Sequence, residues 1–279
     1  MDKDRNRVAR SIDTAVLRDS QDEILKIEHV TMKFGGLIAV NDFSLSMKRG
    51  ELVGLIGPNG AGKTTVFNVI TGQYTPSDGR VLFDGDDITG LPPDIIVTRG
   101  IARTFQNVRL FNGLTVLDNV LVSYHSRIRS SFLEAVFRTK RHLEEEKAMR
   151  QNGIDLLRQV GLEHLANEEA GNLPYGQQRR LEIARALATS PKLLLLDEPA
   201  AGMNPEETRQ LMKFIQDIRD KYALTILLIE HDMHVVMGIC ERIRVLDYGI
   251  SIAEGSPVEI QHNQRVIQAY LGEEERAYA

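Results

Sequence analysis

The sequence predicts an α/β fold with three parts: a core on a mostly parallel sheet, an antiparallel β subdomain and an inserted α-helical subdomain. The core is predicted by three apolar runs that are typical of strands buried on both faces: "ELVGLIG" (51–57), "KLLLLDEP" (192–199) and "LTILLIEHD" (224–232). A helical pattern separates the last two runs and places four residues on one face, namely Leu211, Ile215, Ile218 and Tyr222. Buried strands that alternate with helices indicate a mostly parallel sheet.

The remaining elements follow from their local patterns. Residues 24–34 and 39–47 alternate loosely between apolar and polar side chains, as antiparallel strands with one solvated face do. Short strands are also predicted at "RVLFDG" (80–85) and "RIRVLDYG" (242–249). From about residue 107 to residue 180 strand signals are lost, and helix-forming and charged residues dominate. We therefore expect the inserted helical subdomain at about 107–180.

The two ends of the chain are predicted to lie outside the main domain, which we place at residues 24–250. Residues 1–23 carry charges throughout and have no apolar segment of a secretory signal. We expect them to form a disordered extension or a loosely docked helix. Residues 251–279 are expected to form a C-terminal tail that packs on the core or trails it.

The composition excludes several classes of function. The chain has 279 residues, of which 42% are hydrophobic, so it can bury a sizeable core. Its formal net charge of -5 offers no bulk attraction for nucleic acid, and no run approaches the about 18 apolar residues of a membrane span. The single cysteine, Cys240, excludes an internal disulfide and is expected to be a core thiol. We predict a cytoplasmic protein with no nucleic-acid partner.

The stretch "GPNGAGKTT" (57–65) fits the pattern of a phosphate-binding loop. Gly57 and Gly62 allow backbone N–H groups to curl around a β-phosphate without obstruction by side chains. Lys63 is expected to reach the β- and γ-phosphate oxygens, and the hydroxyl of Thr64 to ligate Mg²⁺. The loop follows a predicted buried strand and precedes a predicted helix, which is the context that this chemistry requires.

Acidic residues and a histidine follow the next two buried strands. Asp197 ends "KLLLLD" at the carboxyl edge of the sheet, where nucleotide-hydrolysing enzymes hold Mg²⁺, and the neighbouring Glu198 can polarise a water. His231 follows "TILLIE" and is expected to contact the γ-phosphate. His231 and His234 could suggest a metal pair, but no further ligand-like residue has the spacing to complete a site.

A third stretch, "NLPYGQQRRLEIARALA" (172–188), predicts the start of a helix at a Pro–Tyr–Gly turn. The free N–H groups at a helix start attract anions. The sequence therefore indicates a second anion site, whose anion could belong to this chain or to another.

Together these residues resemble the ATP-binding cassette (ABC) family, over nearly the whole chain from about residue 24. The resemblance rests on the order of the motifs: the phosphate loop, a glutamine in "RTFQNVRLF", a helical block, a glycine–glutamine signature, "LLLLDEP" and "IEH". It implies a phosphate-loop NTPase fold, with 24–250 as the ABC ATPase domain, and a substrate, ATP, that is hydrolysed with Mg²⁺.

The resemblance also implies a role for each site residue. Phe34 would stack on the adenine, Gln106 would link Mg²⁺ to the helical subdomain, and His231 would be the switch residue. The expected nucleotide contacts are Phe34, Gly57, Asn59, Gly60, Gly62, Lys63, Thr64, Thr65, Gln106, Gly176 and Gln177. The expected catalytic residues are Lys63, Glu198 (the base) and His231, and the expected metal ligands are Thr64, Gln106 and Asp197.

A closer similarity is to the ATPase subunits of bacterial branched-chain amino acid importers. It rests on "FGGLIAV", "IARTFQNVRLF", "YGQQRRLEIARAL", "EPAAGMNP", "LLIEHDMHVVM" and "VIQAYLGEE". It implies a subunit on the cytoplasmic face of the inner membrane, in a complex with two permeases, a second ATPase subunit and, indirectly, an extracytoplasmic binding protein. The signature helix would then point at the γ-phosphate held by the second cassette.

The signature departs from the family's usual Leu-Ser-Gly-Gly-Gln. Pro174 replaces the serine and lacks both a hydroxyl and an N–H, and Tyr175 replaces the first glycine. Asn204 stands where the wider family has aspartate. Because only the signature half is weakened, we expect a heteromeric pair of cassettes, although a homodimer remains an alternative.

Other functions compete with the importer. One alternative is a soluble cassette ATPase of DNA repair or translation. Such proteins usually have two cassettes in one chain or long coiled coils, and this chain has neither. An ATPase subunit of a lipid or lipopolysaccharide exporter is a nearer alternative. A third is an ATP-dependent clamp that hydrolyses weakly because of its altered signature. The basic residues of the helical block are expected to form a solvated face or, alternatively, to contact permease loops or lipid headgroups: Arg127, Arg129, Arg138, Lys140 and Arg141.

Overall fold

The computed structural model describes residues 23–124 and 140–277. The strands are β1 (Glu23–Phe34), β2 (Leu37–Lys48), β3 (Leu52–Ile56), β4 (Asp78–Phe83), β5 (Asp86–Asp87), β6 (Ile101–Arg103), β7 (Leu193–Asp197), β8 (Thr225–Ile229), β9 (Arg242–Asp247) and β10 (Ile250–Gly255). The helices are α1 (Lys63–Ile70), α2 (Pro93–Arg99), α3 (Val116–Tyr124), α4 (Lys140–Gln159), α5 (Tyr175–Ala188), α6 (Pro205–Tyr222), α7 (Met233–Ile239), α8 (Pro257–Gln261) and α9 (Gln264–Ala277). Short 3₁₀ turns lie at Glu163–Leu165 and Ala170–Asn172.

A six-stranded sheet with the order β10-β9-β3-β8-β7-β6 forms the centre of the fold. All its neighbours pair in parallel except β10, which runs antiparallel to β9. Every residue of β3, β7 and β8 is buried, as expected for parallel strands covered on both faces. In the register, Ile229 is level with both Leu55 and Asp197, so the central three strands end together at one edge.

The two faces of this sheet pack against different layers. Alternate residues such as Leu194 and Leu228 contribute to a cluster that contains buried side chains of α3, α5, α6 and α7. Their neighbours Leu195 and Leu227 contribute to a second cluster, which contains side chains of α1 and of the antiparallel strands. This alternation is the period-two pattern of a strand. The sheet is therefore the middle of three layers.

The antiparallel sheet has the order β2-β1-β4-β5. Its long strands β1 and β2 form a hairpin in which Phe34 pairs with Leu37. Buried residues of both strands alternate with exposed ones, as the sequence predicts for strands with one solvated face. The predicted antiparallel part of the fold is thus confirmed, and so are the mostly parallel core and the helices beside it.

Of the strands within the described residues, three were not predicted, namely β6, β10 and the two-residue β5. The strand β6 has only three residues and pairs in parallel with β7 from Ile101↔Leu193 to Arg103↔Leu195. So short a segment carries no periodicity of its own, and only its pairing with β7 identifies it. The strand β10 extends the sheet into the predicted C-terminal tail, which then continues as α8 and α9.

Some sequence predictions fall outside the described residues. These are the charged extension, apart from Glu23, and the basic residues Arg127, Arg129 and Arg138. The side chains of Lys140 and Arg141 are not described either. Within 23–124 and 140–277, no helix is long and apolar enough to cross a lipid bilayer.

Candidate functional site

The predicted phosphate loop connects β3 to α1, and its glycines are required by close packing. Gly57 and Gly62 have φ values of 149° and 103°. A Cβ on Gly57 would lie 2.0 Å from the carbonyl oxygen of Leu246, and one on Gly62 would lie 2.6 Å from that of Ala39. No larger residue fits at either position, so the path of the loop depends on both glycines.

Lys63 and two threonines begin the helix that follows this loop. The Nζ of Lys63 donates to the carbonyl oxygens of Gly57 (2.6 Å) and Pro58 (2.8 Å), which places the ammonium group inside the curve of the loop. Thr64 is exposed and Thr65 half-buried at the start of α1, where N–H groups and the helix dipole favour anions. Asn59 and Gly60 are exposed on the outer turn of the loop.

An aromatic ring lies at the end of β1. Phe34 is 40% exposed, and its ring meets the ring of Tyr74 edge to face, with centroids 5.1 Å apart. The contact positions the ring while a large part of it still faces solvent. The sequence prediction that Phe34 stacks on a base is compatible with this exposure.

Asp197 ends β7 as a buried carboxylate that pairs with Arg103. The Asp197 Oδ2 lies 2.6 Å from Arg103 Nη2, and both side chains are less than a tenth exposed. Arg103 Nη1 also donates to the Oδ1 of Asn68 (2.6 Å) on α1. One guanidinium group therefore connects the acidic edge of β7 to the helix of the phosphate loop. Sequence reasoning missed Arg103 because it lies on the unpredicted strand β6.

Glu198 is held by two of the residues predicted to act with it. Its backbone turns sharply at φ 45°, and its N–H donates to the carbonyl oxygen of Ile229 (2.8 Å). Its Oε2 accepts from Gln106 Nε2 (2.8 Å) and lies 3.5 Å from His231 Nδ1. The structure thus brings Gln106, Glu198 and His231 together at one edge of the sheet, although they are far apart in sequence.

A further acid, Glu230, is hydrogen-bonded to the backbone of His231. Its side chain is fully buried, its Oε1 accepts from the N–H of Ala200 (2.7 Å), and its Oε2 accepts from the N–H groups of His231 (3.2 Å) and Asp232 (3.5 Å). Burial raises the pKa of Glu230, and these N–H donors partly offset the increase. Glu230 therefore ties the turn after Glu198 to the turn that carries His231.

The signature residues lie on a different part of the surface. Helix α5 begins at Tyr175, with Pro174 at the N-cap and no side-chain hydrogen bond to the cap. Gly176 and Gln177 are half-buried in the first turn. Helix α5 packs against α3, α4 and β6, whereas α1 packs against β2. The two predicted anion sites therefore belong to separate layers of the chain.

Asn204, which stands where the wider family has aspartate, has a clear structural role. Its Oδ1 accepts from the N–H groups of Glu206 and Glu207 (both 3.0 Å), and Glu207 Oε2 accepts from the N–H of Asn204 (3.0 Å). This is a capping box at the start of α6. Asparagine and aspartate are about equally good N-caps, so the departure preserves the turn.

The possible metal pair and the single cysteine can be compared with the structure. Among the described residues, no cluster of three or more His, Cys, Asp or Glu side chains has the geometry to hold a metal ion. Cys240 is a buried core thiol, and burial raises its pKa to about 12. Its thiolate is therefore scarce at neutral pH.

The comparisons with known proteins identify the family. The family described as ABC transporter matches residues 40–201, and the family described as branched-chain amino acid ATP-binding cassette transporter matches residues 252–276. This chain belongs to the ATP-binding cassette transporter family. It is 48% identical over 250 residues to the high-affinity branched-chain amino acid transport ATP-binding protein BraF of Pseudomonas aeruginosa, and the match covers 90% of this chain and 98% of that protein.

Two further comparisons are with the ATP-binding protein of an export system and with a solved cassette structure. The lipopolysaccharide export system ATP-binding protein LptB of Haemophilus influenzae is 34% identical over 90% of this chain and 98% of its own length. The crystal structure of the ADP conformation of MJ1267, an ATP-binding cassette of an ABC transporter, is similar with a TM-score of 0.78 and 34% identity. That match covers 90% of this cassette and 99% of the other chain. The predicted phosphate-loop ABC fold is confirmed.

We expect Lys63→Ala to weaken ATP binding at least tenfold. The substitution removes a charged donor from inside the loop, and a hydrogen bond to a charged group is worth about 1.5–3 kcal/mol. A direct titration with a fluorescent ATP analogue measures the affinity. Lys213→Ala removes the same charge from an exposed position on α6 and should bind like the wild type. An unchanged affinity in Lys63→Ala would exclude this lysine from the phosphate site.

Proposed function

We propose that this cassette hydrolyses ATP and that hydrolysis drives uptake of branched-chain amino acids through membrane permeases. The observation that supports hydrolysis is the contact of Glu198 with Gln106 and His231 at the carboxyl edge of the sheet. The observation that supports import is the 48% identity to BraF, compared with 34% to LptB, together with the match of residues 252–276 to the branched-chain family. A lipopolysaccharide exporter is thus the weaker alternative.

ATP would lie between the phosphate loop and the ring of Phe34. The loop N–H groups and the ammonium of Lys63 would bind the β- and γ-phosphates, while Phe34 would stack on the adenine. We assign the outer nucleotide contacts to Asn59, Gly60 and Thr65. These positions are exposed or half-buried around the start of α1, as a substrate site requires.

The oxygen atoms near the phosphate loop are suitable ligands for Mg²⁺. The hydroxyl of Thr64, the carboxylate of Asp197 and the amide oxygen of Gln106 are hard oxygen ligands, and Mg²⁺ in nucleotide sites is bound through few protein groups plus phosphates. We propose that these three residues hold it. When bound, Mg²⁺ neutralises charge on the phosphate oxygens.

Glu198 would act as the general base. As the oxygen of the attacking water forms its bond to the γ-phosphorus, the carboxylate of Glu198 takes the proton, and the bond to the bridging oxygen of ADP breaks. His231 lies 3.5 Å from the same carboxylate oxygen and would contact the γ-phosphate. Gln106 would orient the carboxylate until the phosphate and metal are in place.

A second cassette would complete the site. The signature residues Gly176 and Gln177 lie on a layer apart from the phosphate loop, which supports an arrangement in which they face the γ-phosphate of the partner. ATP would then join two cassettes head to tail, and hydrolysis would release them. We propose a heteromeric pair on the cytoplasmic face of the inner membrane.

The permeases would contact the cleft between α3, α5 and the segment after β6. A cavity of about 390 Å³ opens there, lined by Arg103, Phe105, Arg109, Phe111, Ser123 and Arg185 among others. Phe111, one of these lining residues, is 48% exposed. The lining residue Phe105 directly precedes Gln106 in the chain, so a permease segment in the cavity would be close to the proposed ATP site. An extracytoplasmic binding protein would act indirectly, through the permeases.

We expect Glu198→Gln to retain ATP binding and to lower turnover by ~10² or more, because the amide cannot accept the proton of the water. Phosphate release and an ATP titration measure the two effects. The control Glu206→Gln removes an exposed carboxylate from α6 and should hydrolyse ATP normally. Wild-type turnover in Glu198→Gln would rule out its role as base. A wild-type complex with permeases that binds but does not hydrolyse ATP would instead favour the clamp.

The heteromeric pair predicts a specific effect of Pro174→Ser. Serine supplies a hydroxyl and an N–H at the N-cap, and one hydrogen bond to a charged group is worth about 1.5–3 kcal/mol. We expect the isolated wild-type chain to hydrolyse ATP slowly and Pro174→Ser to raise that rate several-fold, whereas the rate of the full complex should change much less. Pro174→Ala restores only the N–H and separates the two contributions. An isolated wild-type chain that dimerises with ATP and hydrolyses as fast as the complex would contradict the proposal.

A further inference from the structure

Three side chains of the signature helix bind the backbone of residues 105–109, which we call the glutamine segment because it contains Gln106. They are Arg179, Glu182 and Arg185, spaced three residues apart on one face of α5. Arg185 donates to the carbonyl oxygen of Arg109 at the far end of the segment. The segment is thus hydrogen-bonded to a helix that lies more than 70 residues further along the chain.

Arg179 is the centre of this attachment. Its side chain is fully buried, and Nη1 donates to the carbonyl oxygen of Phe105 (2.6 Å) and to Glu182 Oε2 (2.7 Å). Its Nη2 donates to the carbonyl oxygen of Gln106 (2.7 Å). A planar guanidinium group has a fixed fork of donors, so these acceptors define one position of the segment on the helix.

Glu182 holds the same segment through its N–H groups. Its Oε1 accepts from the N–H of Phe105 and from the N–H of Arg109, both at 3.3 Å, and it is 5% exposed. Glu182 therefore binds backbone N–H groups of the segment, and Arg179 binds backbone carbonyl oxygens of the same segment. Removing either would leave a buried charge without its partner, which proteins tolerate poorly.

Tyr175 extends the attachment to the signature itself. Arg179 Nη2 donates to the Tyr175 hydroxyl (3.1 Å), and the guanidinium group lies 5.8 Å from the centre of the tyrosine ring. Tyr175 is the residue that replaces the family's glycine, and it precedes Gly176. The departure from the usual signature thus has a partner in the same helix.

The other end of the attachment reaches the catalytic carboxylate. Gln106, whose carbonyl oxygen accepts from Arg179, donates its Nε2 to Glu198 Oε2 (2.8 Å). A continuous set of hydrogen bonds therefore runs from Glu198 through the glutamine segment to the first turn of α5. Packed and hydrogen-bonded elements of this kind move together rather than deform.

We infer that Arg179 and Glu182 are positioning residues that fix the glutamine segment to the signature helix, so that the two move as one body. The inference rests on the proposed function. When Gln106 shifts at one ATP site, the signature of the same chain shifts with it, and that signature faces the nucleotide of the partner cassette. The two ATP sites of the pair are thereby coupled through each cassette, with Tyr175 as the contact closest to Gly176.

The test compares Arg179→Met and Glu182→Gln with a matched control. The control, Arg180→Met, removes a guanidinium group from the next position of α5, where it packs over the ring of Phe214. The first measurement is hydrogen exchange of the N–H groups of Phe105 and Arg109. We expect exchange at least tenfold faster in both test variants and unchanged in the control. Wild-type exchange rates in the two variants would overturn the inference.

The second measurement is the ratio of permease-stimulated to unstimulated ATPase in the reconstituted complex. We expect Arg179→Met to lower this ratio at least tenfold while the KM for ATP stays within threefold. Because Arg179 acts through Gln106, its effect in a Gln106→Ala background should nearly vanish. A further tenfold loss in that background, or an unchanged ratio in the single variant, would contradict the inference.

Two precautions keep the outcomes separate. If Arg179→Met does not fold, Tyr175→Phe removes only one hydroxyl from a 39% exposed residue, and we expect it to lower the ratio two- to threefold. A ratio equal to the wild type in Tyr175→Phe would then overturn the inference. A wild-type complex without any stimulation would refute the proposed function instead, and the exchange measurement would still decide the attachment.

Discussion

The candidate site depends on the level register of β3, β8 and β7. Leu55 and Asp197 are both level with Ile229, so three buried strands end at the same edge of the sheet. That edge places the phosphate loop, Glu198 and the turn with His231 next to one another. A shift of one residue would turn each strand's buried side chains to the opposite face. Because each face packs against a different layer, the close packing of both layers stabilises the observed register.

Buried charges connect this edge to the other layers. Arg103 links Asp197 to Asn68 on α1, and Glu230 links the turn after Glu198 to the turn with His231. Isolated buried charges are unfavourable, and each of these is paired or hydrogen-bonded. Such contacts have strict geometry, which suits a site where a carboxylate and a phosphate must be aligned.

The sequence was most informative where residues act locally. The phosphate loop, Asp197 and Glu198 follow apolar runs, which can be recognised as buried strands from the sequence alone. Arg103 was missed because β6 has three residues, and Glu182 because charged residues of helices are usually on a solvated face. Tertiary packing joins Arg103 to Asp197 and Glu182 to Phe105, which are 94 and 77 positions apart in the sequence, and no local pattern encodes such contacts.

The central claim is that ATP hydrolysis by this cassette drives uptake of branched-chain amino acids. The most direct measurement is the uptake of labelled leucine into vesicles that contain the cassette, its permeases and its partner cassette, with the binding protein on the side from which leucine is taken up. We predict that leucine accumulates against its gradient only with ATP on the cassette side, and that phosphate release rises when the binding protein carries leucine. Uptake without ATP, or phosphate release that is indifferent to the loaded binding protein, would contradict the account.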